Sequence, residues 1–252
     1  MSKDYKFFEN LRYEDFQAMA LNQELSNFEK IGFPDAYREI YEQHIFEDLQ
    51  LKLPALSQND SIILDIGCGC STLPTLLMQR AQERDQQLIL LDSLEMLSQL
   101  PPIASPLTRK FPARYPECPD LLQELNGRVD AVIVYSVIQY VFIEGNIFDF
   151  LDKTLMLLAP GGRILIGDVP NISMRKRFFG SEAGVKHHQE FAKSNDVPNV
   201  QFNKIETKQI DDSVLVSIVL RARSAGFHAF LLPQGKNLPM SNRREDILIV
   251  RP

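Results

Sequence analysis

From Ser61 onward, apolar runs of strand character alternate with segments whose bulky residues recur at helical spacing. The pattern predicts strands at 61–66, 86–92, near 105–111, at 129–135 and at 163–169, with helices from Thr72 and near 146–158. Strands separated by helices imply parallel pairing with right-handed crossovers. The expected fold class is therefore α/β, a doubly wound and mostly parallel sheet. Ser213 to Ala225 reads as a further helix, followed by His228–Leu232 and Asp246–Val250 as two last strands. Residues 1–57 read as helices that precede this core. Within Asp35–Leu49, Tyr37, Ile40, Tyr41, Ile45 and Leu49 recur at helical spacing behind the start signals Pro34 and Asp35, which puts His44 on the packed stripe. A helical extension (1–57) packing on a catalytic domain (58–252) is the expected organisation. Between Pro170 and Asp212 lies a polar stretch of about forty residues, longer than a plain connection needs. It is expected to form a lid or substrate-binding insertion over about 171–212.

The stretch Ile62–Pro74, I-I-L-D-I-G-C-G-C-S-T-L-P, is a strand that ends in an acid and breaks into a Gly-x-Gly turn before a helix. Gly67 and Gly69 permit a tight turn and close backbone approach to a ligand. A dinucleotide loop would need a third glycine where Thr72 stands, and Asp65 would repel a pyrophosphate. A ligand with a cation and no phosphate suits the acid, and S-adenosylmethionine, with its sulfonium and ammonium, meets that description. The run Leu88–Asp92 is a second buried strand ending in an acid, placed to accept both ribose hydroxyls.

These residues resemble the class I S-adenosylmethionine-dependent methyltransferases over about 60–170. L-D-I-G-C-G-C corresponds to their first motif and the L-L-D ending at Asp92 to their second. Val129–Ser136 corresponds to their fourth strand, and Leu157–Asp168 to their helix, Pro-Gly-Gly turn and fifth strand. Ser71 departs from the family's third glycine. The resemblance implies a Rossmann-like sheet of seven strands closed by an antiparallel pair. It also implies cofactor contacts from Asp65, Gly67, Gly69, Cys70, Ser71, Asp92 and Ser93, from Phe111 near adenine, and from Tyr135 and Ser136 along the methionine part. E-K-I-G-F-P-D-x-Y-R and G-D-V-P-N-I-S-x-R-K-R-F-F further resemble small-molecule methyltransferases of bacterial surface-sugar (polysaccharide) biosynthesis.

Ligands of parallel sheets lie beyond the strands' carboxyl ends, which makes Asp168 the favoured general base for a hydroxyl acceptor, with His187 and His188 in the insertion as further candidates. Arg175, Lys176 and Arg177 follow directly and suit a phosphate or carboxylate on the acceptor, a phosphorylated or nucleotide-linked sugar being the leading expectation. Tyr140 is placed with them as a substrate contact. Arg38 reaches the cofactor or acceptor if the N-terminal helices fold over the site. A formal charge of -6 in 252 residues argues against nucleic acid and anionic membranes as partners. The amino terminus has no apolar signal region, and Cys68, Cys70 and Cys118 form neither a disulfide framework nor a zinc ligand set. A cytoplasmic enzyme without metal, monomeric or homodimeric, is expected. The same cofactor core would also serve a nucleic-acid or protein methyltransferase, or a non-catalytic S-adenosylmethionine-binding module.

Overall fold

The computed structural model describes residue 8 and residues 11–252. Seven strands, β1 (Ile62–Ile66), β2 (Gln87–Asp92), β3 (Thr108–Pro112), β4 (Val129–Tyr135), β5 (Leu158–Pro170), β6 (His228–Pro233) and β7 (Arg244–Val250), form one sheet in the order β3-β2-β1-β4-β5-β7-β6. The first five are parallel, and β7 runs antiparallel to both β5 and β6. The central strands are apolar on both faces because helices cover both. On one face α6 (Pro119–Leu125), α8 (Ile147–Leu157) and α11 (Asp212–Ser224) pack around Phe150, Leu151, Leu215 and Ile218. On the other, α3 (Glu42–Lys52), α4 (Thr72–Glu83) and α5 (Leu94–Ser98) pack around Ile45, Leu49, Leu77 and Met96. Register brings the strand ends together: Asp65 pairs with Leu90 and Ile133, Asp92 with Pro112, and Tyr135 with Gly167. All the strand-end acids therefore share one edge.

The N-terminal segment departs from its expected form. Instead of one helix over Asp35–Leu49, a 3-10 turn at Asp35–Tyr37 is followed by a break at Arg38 (φ −130°) and then α3. The break turns Arg38 and Glu42 inward, so the buried face is Ile45, Phe46 and Leu49, while Ile40 is exposed. His44 is consequently on the solvent side, 3.5 Å from Glu47, and not on the packed stripe. Ahead of it, α1 (Tyr13–Leu21) and α2 (Asn27–Lys30) run over α5, with Gln17 donating to Glu95 and Lys30 to Gln99. Between β4 and α8 lies α7 (Ile138–Glu144).

The stretch after β5 holds α9 (Ile172–Phe179) and α10 (Glu182–Ala192) and then an irregular return. Asn171 caps α9 by accepting from the N–H groups of Ser173 and Met174, and its amide donates to Asp212 and Glu245. The insertion is thus anchored at its root.

Beneath the strand ends, Asp246 has no exposed surface and accepts from Lys52 at 2.6 Å and from the backbone N–H of Asp168 at 2.8 Å. Removing the cation leaves a buried carboxylate uncompensated. We expect Lys52→Met to lower unfolding free energy by roughly 3 kcal/mol in chemical denaturation, and Lys52→Met/Asp246→Asn to recover part of the loss.

Candidate active site

The loop after β1 is built by two left-handed glycines, Gly67 (φ +71°) and Gly69 (φ +67°). A Cβ at Gly67 would stand 2.6 Å from Val137 Cγ2, and one at Gly69 2.7 Å from Ile31 Cγ2. Close packing under the N-terminal segment and α7 thus adds to the conformational demand for glycine. The loop is fastened to β2: Gly67 N–H donates to Leu91 O at 2.8 Å, and Gly69 N–H to Asp92 Oδ2 at 2.9 Å. Asp92 Oδ1 accepts from Ser93 N–H at 2.7 Å. Each carboxylate oxygen keeps a second lone pair for a ligand hydroxyl. Burial pushes the Asp92 carboxyl up to about 6, opposed by those two N–H groups.

A cavity of about 280 Å³ opens on the Asp92 side, walled by Tyr13, Phe16, Met96, Val137, Tyr140 and the segment Ala113–Glu117. A smaller one of about 50 Å³ lies on the other side, walled by Phe33, Arg38, Asp65, Ser71, Tyr135 and Ser136. Ile31, Gly67 and Gly69 border both. In the smaller cavity Asp65 is buried, and its Oδ2 has no hydrogen-bond partner among the described residues. Burial, reinforced by the neighbouring Asp92 charge, pushes its carboxyl up to about 8. The Tyr135 hydroxyl is likewise without a partner there.

Opposite stands Arg38, buried between two carboxylates. Its Nε donates to Glu42 Oε1 at 3.0 Å, and Nη1 lies 3.4 Å from Ser136 Oγ and 3.7 Å from Asp168 Oδ2. The guanidinium also lies over the rings of Phe33 and Tyr135, at 4.8 and 5.4 Å. Glu42 Oε2 in turn accepts from Ser71 Oγ and from Leu73 N–H, at the positive end of α4. One small space therefore presents an acid with a free acceptor on one wall and a guanidinium on another. That arrangement is complementary to an α-amino acid terminus.

The structure brings Asp65, Gly67, Gly69, Ser71, Asp92, Arg38, Tyr135, Ser136 and Tyr140 around the two cavities, but not the other expected contacts. Cys70 is turned to Asn27 O, and Ser93 caps α5 through Met96 N–H. Phe111 packs on the core and carries Arg109 over its ring, since its strand position faces the helix layer; residues 113–117 take the wall expected of it. Asp168 has no exposed surface: it accepts from Ser136 Oγ at 2.5 Å and from Arg244 at 2.8 Å, so its carboxylate faces protein partners and lines neither cavity. Its partners are Arg244 and Arg38, not the basic stretch that follows it. His187 and His188 lie on α10 against Phe178 and Phe179, away from both cavities. Lys176 pairs with Glu206 at 3.4 Å and Arg177 doubly with Asp212, which leaves Arg175 as the member of that stretch without an acid partner among the described residues. Ile31, Phe33, Glu42, Tyr13, Phe16, Val137 and Arg244 were not legible as site residues; the only signal was the family-like stretch around Phe33 and Arg38. Among the described residues no group of three His, Cys, Asp or Glu is arranged for a metal, and no helix is long and apolar enough to cross a membrane.

No family model and no curated protein matches the chain in sequence. Among solved structures it is similar to the plantazolicin methyltransferase BamL, in complex with a triazolic desmethylPZN analog and SAH: 13% identity, 95% of this chain and 97% of that one, TM-score 0.57. The plantazolicin methyltransferase BpumL in complex with SAH is similar at 11% identity over 98% of each chain, TM-score 0.56. The carbon methyltransferase CurJ is similar at 14% identity over 97% of this chain and 65% of that one, TM-score 0.52. The likeness establishes the fold, a class I methyltransferase fold with N-terminal helices.

Asp65 carries a sign-definite consequence. Its unfolded carboxyl ionises near 3.8 and its folded one near 8, so the folded state holds a proton that the unfolded state has lost, and stability falls as pH rises between those values. Asp65→Asn removes this dependence. In urea denaturation the variant should gain on wild type from about pH 4 to pH 8 and keep a constant lead above; parallel pH profiles would refute the assignment.

Proposed function

We propose that this protein is an S-adenosylmethionine-dependent methyltransferase acting on a small-molecule acceptor. The observation that carries this reading is the pair of cavities divided by the Gly67–Gly69 loop, with Asp92 beside the larger one and the unpartnered Asp65, facing Arg38, in the smaller. A nucleoside with free ribose hydroxyls fits the Asp92 side, and an ammonium and carboxylate fit Asp65 and Arg38. Bound there, the cofactor supplies an activated methyl group for in-line displacement.

The protein's own contribution is positioning and exclusion of water. Phe16 and Tyr140 meet edge to face at 4.8 Å, and with Tyr13 they wall the larger cavity from above. Burial, with Asp92 and Glu95 nearby, pushes the Tyr13 phenol up to about 12, and Tyr140 is also raised by burial. Both phenols remain hydrogen-bond donors at neutral pH. The described part of the N-terminal extension, residues 11–57, serves in this reading as the cover of the 58–252 domain, because Ile31, Phe33 and Arg38 wall the cavities. O- or N-methylation of a sugar-type or anionic metabolite is the finer reading. Its anionic part is supported by Arg175, which lines a separate cavity of about 210 Å³ beside α9.

Calorimetry should show binding of S-adenosylmethionine and S-adenosylhomocysteine and none of NAD; binding of NAD alone would overturn the proposal. Asp92→Ala should weaken S-adenosylhomocysteine by about 1.5–3 kcal/mol, the range for hydrogen bonds to a charged group. Arg38→Ala separates the two ends of the ligand. It should weaken S-adenosylhomocysteine by about 2 kcal/mol more than 5′-methylthioadenosine, which lacks the amino acid terminus. Equal losses for both ligands would deny Arg38 a contact with the carboxylate.

A further inference from the structure

Arg243 and Arg244 are adjacent at the start of β7 and meet different fates. Arg244 turns to Asp168, 2.8 Å away, and lies over Phe33. Arg243 turns instead to α9, where its guanidinium lies 5.7 Å from the centroid of Phe179. Arg175, one turn earlier on α9, lies 5.2 Å from the same ring. Two cations are thus gathered on one aromatic side chain. Among the described residues neither has a carboxylate partner, and the side-chain hydrogen bond of Arg243 goes to the neutral Asn242.

In a chain of net charge -6, acids are available to neutralise guanidiniums, as Asp212 does for Arg177 and Asp152 for Arg221. Cation–π contact offsets only part of the repulsion between two guanidiniums. Arg243 is half-buried; burial first, and then repulsion from Arg244 and Arg175 against the opposing effect of Tyr37, holds its charged form below its usual stability. Such a pair is completed by an anion, and the planar donor forks of arginine match the oxygens of a phosphate or carboxylate.

We infer that Arg175 and Arg243, gathered on Phe179, form a subsite for a phosphate or carboxylate group of the methyl acceptor. This rests on the methyltransferase reading and deepens it. The position suits an acceptor anchor: Asn171 N–H donates to Arg243 O at 3.1 Å, which fixes the subsite to the residues just past the carboxyl end of β5. Phe33 walls the small cavity and carries both Arg38 and Arg244 over its ring, so the chain neighbour of Arg243 reaches the wall of that cavity. Arg175 and Phe179 also line the 210 Å³ cavity with Gln201, Lys176, Lys204 and Glu206, whose carboxylate is held by the two lysines, which leaves room for the ligand beside Arg175. The anchor is therefore Arg175 with Arg243, in place of Lys176 and Arg177.

The test titrates inorganic phosphate and, separately, malonate into the full-length protein at constant ionic strength, reading dissociation constants from the thermal-unfolding midpoint. Wild type should bind at least one of the two, and which one binds separates a phosphate from a carboxylate acceptor. In Arg175→Gln/Arg243→Gln the dissociation constant should rise by about tenfold or more, while S-adenosylhomocysteine affinity stays unchanged. Arg175→Gln alone, at an exposed position that leaves the core untouched, should weaken the same anion about threefold. Equal anion affinity in wild type and variants, or no anion binding by wild type, overturns the subsite. Failure of S-adenosylhomocysteine to bind wild type would instead overturn the methyltransferase reading, with the phosphate and malonate titrations still deciding the anion site.

Discussion

The burial of one guanidinium organises the site. Arg38 sits between Glu42, four residues on, and Asp168, far along the chain at the end of β5, and a cation taken out of water is tolerated only with such partners. Through Asp168 it joins the N-terminal segment to β5 and, by way of Arg244, to β7. Through Glu42 it joins the same segment to Ser71 and the first turn of α4. The cavity walls contributed by Ile31 and Phe33 are held over the glycine loop by these links. Losing either carboxylate would loosen the cover as well as the cation.

The charges around the loop are arranged in a way that the protein alone does not satisfy. Burial raises both Asp65 and Asp92, the Asp92 charge raises Asp65 further, and one oxygen of Asp65 lacks a partner among the described residues. Ser136 and Asp168 both adopt left-handed backbone conformations, at φ +60° and +58°, although neither is glycine. Strain and unmet polar groups of this kind are retained where a ligand or a network over-determines them. Asp168 belongs to the second case, since Ser136, Arg244, Gln234 and the neighbouring Asp246 define its place. Asp65 fits the first.

Sequence alone was sufficient for the architecture. Apolar runs such as Leu88–Leu91 and Val132–Val134 are unbroken because both faces of a parallel strand are covered, and their spacing gives the seven strands and their order along the chain. The acids at the strand ends and the Gly-x-Gly turn were legible for a similar reason: a strand terminus and a left-handed turn are local demands, met by residues within a short window. Where a side chain's role depended on what approached it from afar, pattern failed. Asp168 stands at a strand end as expected, yet Arg244, far along the chain, takes its carboxylate away from the cavities. Arg175, Lys176 and Arg177 are identical in charge and contiguous, but Glu206 and Asp212 neutralise two of them and Arg243 joins the third. The break at Arg38 gave no periodic signal, because a buried ion pair, not an apolar stripe, dictates it. The strands are set by interactions among neighbours in sequence, and so the sequence by itself determined them. Which charges are paired and which face the ligand is set by neighbours in space, and only the tertiary structure decided that.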